Sequence, residues 1–138
     1  MKIAIRPFKQ EDINFILNSW IKSHYAEVTG YKEKYSYFHK GMESIIRRKY
    51  ENGELVCYVA CLDDDSDFII GFAAFGTDYT LHYAFVKEAF KRLGVCKQLL
   101  NYFYKTRKKI TVSHWNKKNM DFISKMYEIE YNRFKFFN

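Results

Sequence analysis

The pattern of apolar and polar positions predicts a strand and two helices in the first third of the chain. Residues 2–7 alternate apolar and polar side chains like a strand. A helix is predicted to open near Gln10-Glu11-Asp12, because the apolar residues after it recur on one helical face: Ile13, Ile16, Leu17, Trp20 and Ile21. A polar, tyrosine-rich loop is predicted over residues 23–35. A second helix then presents its own apolar face, Phe38, Met42, Ile45 and Ile46.

The remaining pattern predicts strands interrupted by two further helices. The Asn52-Gly53 pair indicates a turn, and Leu55–Leu62 is a continuous apolar run, typical of a strand buried on both faces. Further strands are predicted at residues 68–79, 81–87, 110–113 and 131–137. A helix whose apolar residues are Val95, Leu99, Tyr102 and Phe103 follows the strand at 81–87, and another is predicted at residues 119–127.

The aspartate-rich segment at residues 63–67 invites a calcium interpretation. It lacks the glycine and the closing glutamate of an EF-hand loop. A solvated hairpin turn is therefore favoured, and no metal is expected.

The element order is strand, helix, helix, three strands, helix, strand, helix, strand. This order predicts an α+β fold in which a mixed, mostly antiparallel central sheet is flanked by helices. The 138 residues fit a single domain over residues 1–138.

Composition narrows the class of protein. Apolar residues make up 48% of the chain and aromatic residues 20%, which is enough for a packed core. Cys57, Cys61 and Cys96 are an odd number, and reduced thiols fit them better than disulfides or a zinc site. No signal peptide and no membrane span is expected, so we expect a cytoplasmic protein. The net charge of +7 favours anionic partners.

The segment from Val86 to Leu100 carries the candidate chemistry. A strand ends, a short basic loop follows, and a helix is predicted to begin near Gly94. The first amides of a helix have no partner within the helix, and the helix dipole adds positive charge. With Lys91, Arg92 and Lys97 beside it, this helix start is predicted to bind phosphate groups.

The same segment resembles the diphosphate-binding signature of the GNAT acetyltransferases. That signature is arginine or glutamine, two residues, glycine, one residue, then glycine or alanine; Lys91, Gly94 and Cys96 stand in those places. Val86 and the pair Leu99-Leu100 match the family's flanking apolar positions. Lysine and cysteine at two of the three places are departures from the pattern.

The resemblance implies a GNAT-like fold, a single cosubstrate and a reaction type. The protein would be an N-acyltransferase that passes an acetyl group from acetyl-CoA to a primary amine by direct attack. The residues implied in binding acetyl-CoA are Ala84, Phe85, Val86, Lys91, Arg92, Leu93, Gly94, Val95, Cys96 and Lys97. By the same resemblance Tyr127 would protonate the departing CoA thiolate, with Tyr131 as the alternative.

The general base stays open. His82 lies on the predicted central strand and has a suitable ordinary pKa. Asp78 is the second candidate, and a water chain without a dedicated base is the third.

The acceptor is also open: a small amine, a protein amine or a group on nucleic acid. Residues that would shape its site lie around the first loop and after the strand at 110–113: His24, Tyr25, Tyr31, Tyr35, Tyr37, His39, His114 and Trp115. Basic clusters at residues 47–49 and 107–109 are consistent with nucleic-acid contact, and the segment from Asn18 to Ser23 loosely resembles phage-encoded members of the family.

Rival interpretations of the function are a nucleic-acid-binding module without turnover and a GNAT fold that only binds CoA. Either a monomer or a homodimer fits the sequence.

Overall fold

A computed structural model describes residues 2–27 and 34–137. Its strands are β1 Ile3–Pro7, β2 Leu55–Leu62, β3 Asp65–Gly76, β4 Leu81–Val86, β5 Lys109–Val112 and β6 Glu128–Tyr131. Its α-helices are α1 Ile13–Glu27, α2 Tyr35–Glu51, α3 Val95–Tyr104 and α4 Lys117–Ile123. The predicted α+β fold and its element order are confirmed.

The chain divides into two compact units, Lys9–Leu55 and Met1–Phe8 with Val56–Asn138. The first holds α1 and α2, and the second holds the sheet with α3 and α4. A single domain over residues 1–138 stays a prediction.

The helical unit begins where the sequence predicted. The backbone N–H of Lys9 donates to Asp12 Oδ2 at 2.8 Å, which starts a short 3-10 helix, Gln10–Asp12, that continues into α1. The predicted apolar face of α1 is confirmed: four of its five residues are at most 2% exposed, Ile16, Leu17, Trp20 and Ile21.

The predicted loop over residues 23–35 was wrong at both ends. Ser23 to Glu27 continue α1, and Tyr35 already begins α2. The Ser23 hydroxyl donates to the carbonyl of Ser19 at 2.5 Å, so this polar residue bonds back to the helix and does not end it. Residues 28–33, which include the candidate Tyr31, lie outside the described residues.

The sheet is mixed and has the strand order β1-β2-β3-β4-β5-β6. The pairs β1–β2 and β3–β4 are antiparallel, whereas β4–β5 and β5–β6 are parallel. Two helices of this unit pack on one face of the sheet, which we call the α3 face. Its apolar core includes Phe75, Leu81, Leu99, Val112, Ile123 and Tyr127.

Three predicted boundaries change in the sheet unit. Only residues 63–64 form the hairpin turn, because β3 already begins at Asp65. Helix α4 is Lys117–Ile123 and not residues 119–127, because the Asn116 side chain caps it by accepting from the Asn119 N–H. The last strand is Glu128–Tyr131, earlier than predicted.

The early end of the last strand has a local cause. Parallel pairing with β5 uses residues 128–131, from Lys109 opposite Glu128 to Val112 opposite Tyr131. The Asn132 side chain then accepts from the Phe134 N–H at 3.1 Å and starts a 3-10 helix, Arg133–Phe136. The aromatic residues that predicted a strand therefore lie in a helical turn.

Candidate active site

The central strands β4 and β5 meet at one point and then separate. Leu81 is paired with Val112, and the Ser113 N–H donates to the Leu81 carbonyl at 3.0 Å. Within the described residues, Leu81 and Val112 are the one pair of opposite residues that joins β4 to β5. Beyond it, β4 runs on to Val86 while the chain leaves β5 toward α4. A cleft therefore opens between two parallel strands, along one edge of β4.

The edge of β4 that faces this cleft can be identified from its pairing. The Lys87 N–H donates to the Ile70 carbonyl of β3 at 2.8 Å. Because successive residues of a strand direct their backbone groups to opposite sides, Phe85 also faces β3 and the backbone groups of Ala84 and Val86 face the cleft. The Phe85 ring packs on Phe72, 5.8 Å between centroids. Of the three predicted cosubstrate contacts on β4, Ala84 and Val86 are thus the two with main-chain groups toward the cleft.

A β-bulge lies at the closed end of the cleft. Ala74 is opposite Tyr83 and Phe75 is opposite Leu81, so His82 is the extra residue of β4. His82 is 5% exposed, and its Nδ1 is 2.6 Å from Ser113 Oγ. The candidate base is therefore a buried histidine in contact with a serine that sequence reasoning did not select.

The loop from β4 to α3 ends in a turn with left-handed backbone at two residues. Arg92 has φ 67° and Gly94 has φ 78°. Gly94 is the N-cap of α3 and supplies no side-chain cap, and the first bond within the helix runs from the Gln98 N–H to the Gly94 carbonyl. The amides of residues 95–97 therefore have no acceptor within α3. In a turn with left-handed residues, successive backbone N–H groups can point toward one place and form a concave site that binds anions.

Positive side chains surround this turn. Lys91 Nζ is 2.9 Å from Glu88 Oε2, and this hydrogen-bonded pair is the main reason that the pKa of Glu88 lies below its ordinary value. Charges of Lys118 and Arg92 lower the same pKa further. Since Lys118 belongs to α4, a cation of a second helix lies within electrostatic range of Glu88, which the sequence pattern did not indicate.

The other residues that were predicted to bind the cosubstrate at this turn differ in how deeply they are buried. Val95 is buried in the α3-face core, and Leu93 is 52% exposed. Lys97 is exposed on the first turn of α3, and burial raises the pKa of the Cys96 thiol to about 11. Cys96 is therefore a neutral thiol that packs against the core. The departure from glycine or alanine at this position is accommodated by apolar packing.

Tyr127 lies on the α3 face but not on a helix. It follows α4 in the turn before β6, is 6% exposed, and its ring lies 5.5 Å from that of Tyr104. Its hydroxyl donates to Asn101 Oδ1 of α3 at 2.8 Å. Burial and, second, the neighbouring Cys96 raise the pKa of Tyr127, so its hydroxyl stays protonated at neutral pH.

The alternative candidates also belong to the sheet unit. Tyr131 is 48% exposed at the end of β6 and packs on Trp115 at 5.8 Å. His114 packs on Tyr83 at 5.2 Å. Asp78 accepts from the Thr80 N–H and from Lys135, and although burial opposes it, these hydrogen bonds hold the pKa of Asp78 below its ordinary value.

The aromatic candidates of the helical unit form one cluster between α1 and α2. Tyr25 contacts both Tyr35 and Phe38 at 5.1 Å, and His24 and His39 lie 5.8 Å from Phe38 and Tyr35, respectively. Tyr37 is 69% exposed. A role of these residues in acceptor binding stays a prediction.

Over residues 2–27 and 34–137, no helix is both long enough and apolar enough to cross a membrane. The same residues contain no cluster of three or more His, Cys, Asp or Glu side chains that could hold a metal ion.

Three of the solved structures that share this fold bear the names of acetyltransferases. The PaiA N-acetyltransferase of Thermoplasma acidophilum, in complex with coenzyme A, is 19% identical with a TM-score of 0.61, over 91% of this chain and 88% of that one. A GCN5-related N-acetyltransferase of Rhodopseudomonas palustris is 15% identical with a TM-score of 0.64, over 91% and 81%. A predicted acetyltransferase of Clostridium acetobutylicum with acetyl-CoA is 12% identical with a TM-score of 0.58, over 95% and 80%.

Sequence comparison gives the family. No curated protein is significantly similar to this chain. The sequence model described as the acetyltransferase (GNAT) family matches residues 14–126, which is most of the chain. The protein is therefore a member of the GNAT acetyltransferase family, and its class of activity is N-acetyl transfer.

Proposed function

We propose that this protein transfers an acetyl group from acetyl-CoA to a primary amine by direct attack of the amine on the thioester. The observation that carries this proposal is the alignment of the cleft with the turn at Gly94. The edge of β4 that faces the cleft leads from the bulge at His82 to Val86, about 13 Å at roughly 3.3 Å per residue. The chain then passes through a short 3-10 helix, Glu88–Phe90, to the basic turn. One extended ligand with an anionic end fits both.

The backbone conformation and the positive charge of the turn both suit the binding of a diphosphate. The amides of residues 95–97 have no acceptor within α3, and a Cβ placed on Gly94 would meet nothing within 4 Å, so the backbone there is open to an approaching anion. Arg92, Lys97 and Lys118 supply positive charge. Lys91 adds its own, although it is paired with Glu88.

The cleft fits the pantetheine arm. The N–H and C=O groups of Ala84 and Val86 are positioned to pair with its two amides as a neighbouring strand would. The thioester would then lie near the bulge, where backbone N–H groups can stabilise the negative charge that develops on its oxygen.

The two proton transfers fall on opposite sides of the sheet. Tyr127 lies on the α3 face, which is the side of the cosubstrate turn, and is the candidate that protonates the thiolate. His82 is the candidate that removes the proton of the amine. The hydrogen bond from Tyr127 to Asn101 means that this hydroxyl has to leave Asn101 to serve as the acid.

The first test is ligand-induced thermal stabilisation. Acetyl-CoA and CoA at 100 times their dissociation constants are expected to stabilise the protein by about 2.7 kcal/mol. A single-stranded oligonucleotide is the control ligand. Stabilisation by the oligonucleotide without any by acetyl-CoA would contradict the proposal and favour a nucleic-acid-binding module.

Turnover is the second part of that test. Release of CoA thiol is to be followed with benzylamine, spermidine and a lysine-containing peptide as acceptors. Binding of acetyl-CoA without thiol release on any acceptor would leave a CoA-binding protein and remove the enzymatic part of the proposal.

Lys118→Glu is expected to weaken acetyl-CoA binding by about tenfold at low salt, because one cation near the diphosphate becomes an anion. The effect should shrink in 0.5 M NaCl, where charges are screened. Lys117→Glu makes the same charge change one residue earlier on α4 and serves as the matched control. Equal losses of affinity in the two variants, measured by calorimetry, would contradict a specific role of Lys118.

A further inference from the structure

His82 and Ser113 form a buried polar pair at the closed end of the cleft. The two side chains are 5% and 7% exposed, and Nδ1 and Oγ are 2.6 Å apart. Main-chain features hold both residues: His82 is the bulged residue of β4, and the Ser113 N–H is bonded to Leu81. The pair is therefore fixed at the point where β4 and β5 separate.

The pair lies on the face of the sheet opposite α3. Val112 and Phe75 pack into the α3-face core, so the next residues, Ser113 and Gly76, are directed to the other face. A Cβ on Gly76 would come within 3.0 Å of His82 Nε2. Glycine at this position leaves the room that the imidazole occupies.

This placement has a chemical consequence under the proposed function. The cosubstrate turn and Tyr127 belong to the α3 side, so a thioester in the cleft is open to attack from the other face. Ser113 lies one residue beyond the last strand pair, and its hydroxyl contacts His82 Nδ1. An amine that reaches the thioester from this face would meet this pair of side chains.

We propose that Ser113 is a catalytic residue that contacts the acceptor amine and relays its proton to His82. The inference rests on the proposed function and adds the route of the proton. As the amine nitrogen bonds to the thioester carbon, its proton passes to Ser113 Oγ while the serine proton passes to His82 Nδ1. The C–S bond breaks, and its electron pair leaves with the CoA thiolate. His82 ends as an imidazolium and returns its proton to solvent.

The surroundings of His82 suit this cycle. The relay requires the neutral tautomer with its proton on Nε2, because Ser113 must donate to Nδ1. Asp78 lies on the Nε2 side: its Oδ1 is 2.7 Å from the same hypothetical Gly76 Cβ that approaches Nε2. Its carboxylate favours the imidazolium, while Lys135, 3.4 Å from Asp78 Oδ2, reduces that effect. The Phe136 ring packs edge-on against the imidazole, 5.4 Å between centroids.

The test compares Ser113→Ala, Ser113→Thr and the wild type with the best of the three acceptors named above. Ser113→Ala is expected to lower kcat by about 100-fold and to leave the acetyl-CoA dissociation constant unchanged within twofold. Ser113→Thr keeps the hydroxyl and should stay within about fivefold. In the wild type kcat/KM should fall at acidic pH, where the base is protonated, and Ser113→Ala should lose that acid limb.

Two results would overturn the relay. One is a Ser113→Ala variant with wild-type kcat and an unchanged acid limb. The other is a ¹⁵N NMR spectrum that places the His82 proton on Nδ1 in the neutral form. Should the wild type fail to bind acetyl-CoA, the proposed function fails instead, and the NMR measurement still decides the direction of the hydrogen bond.

Discussion

Replacing Gly94 by glutamine is expected to abolish stabilisation by acetyl-CoA, with a loss of affinity of at least 30-fold. Gly94 has φ 78°, a conformation that costs an ordinary L-residue about 1–2 kcal/mol. The Gln side chain would also project into the open space at the turn, where the diphosphate is proposed to bind. Calorimetry and thermal shifts with acetyl-CoA measure the loss.

Gly53 provides a matched control. It also has positive φ, 71°, it is exposed, and a Cβ there would likewise meet nothing within 4 Å. Gly53→Gln therefore carries the same backbone cost in the turn after α2, away in sequence from the loop between β4 and α3. Both variants should lose similar thermal stability, but only Gly94→Gln should lose acetyl-CoA binding. If both bind acetyl-CoA like the wild type, the proposed diphosphate site is wrong.

The loop from β4 to α3 was the most predictable part of the molecule because its signals are local. A strand pattern ending near Val86, a run of basic residues and a glycine before an apolar helix all lie within fifteen residues. The structure confirms the order of strand, turn and helix, with α3 beginning one residue after Gly94. Local backbone preference and helix periodicity suffice for such a segment.

The contacts that complete the candidate site are long-range and had no sequence signal. Ser113 contacts His82 across 31 residues of sequence, and Lys118 of α4 is close enough to Glu88 to lower the pKa of that carboxyl. The bulge that moves His82 out of register depends on the pairing of β4 with β3 and not on composition. The position of β6 was mispredicted for the same reason: pairing with β5 selects residues 128–131 over the more aromatic residues that follow.

Tyr127→Phe is expected to lower kcat by about 100-fold while the KM for acetyl-CoA changes little, if its hydroxyl protonates the CoA thiolate. Phenylalanine keeps the ring that packs on Tyr104, so the core should stay intact. Burial holds the pKa of Tyr127 above its ordinary value of 10.0. An acid of that kind is active while protonated, so the wild-type rate should fall only as pH rises through this raised pKa.

Tyr104→Phe is the control that separates the hydroxyl's chemistry from its structural bond. Tyr104 lies in the same core, and its hydroxyl donates to the Tyr79 carbonyl at 2.8 Å, the same length as the bond from Tyr127 to Asn101. Each variant removes one such bond and should cost about 1 kcal/mol of stability. Asn101→Ala frees the Tyr127 hydroxyl without removing it, and it should retain most of kcat. Two results would contradict this role: equal slowing by Tyr127→Phe and Tyr104→Phe, or slowing by Asn101→Ala as large as that by Tyr127→Phe. In either case the Tyr127 hydroxyl has only a structural role through its bond to Asn101. The proton for the thiolate then comes from another group or from water.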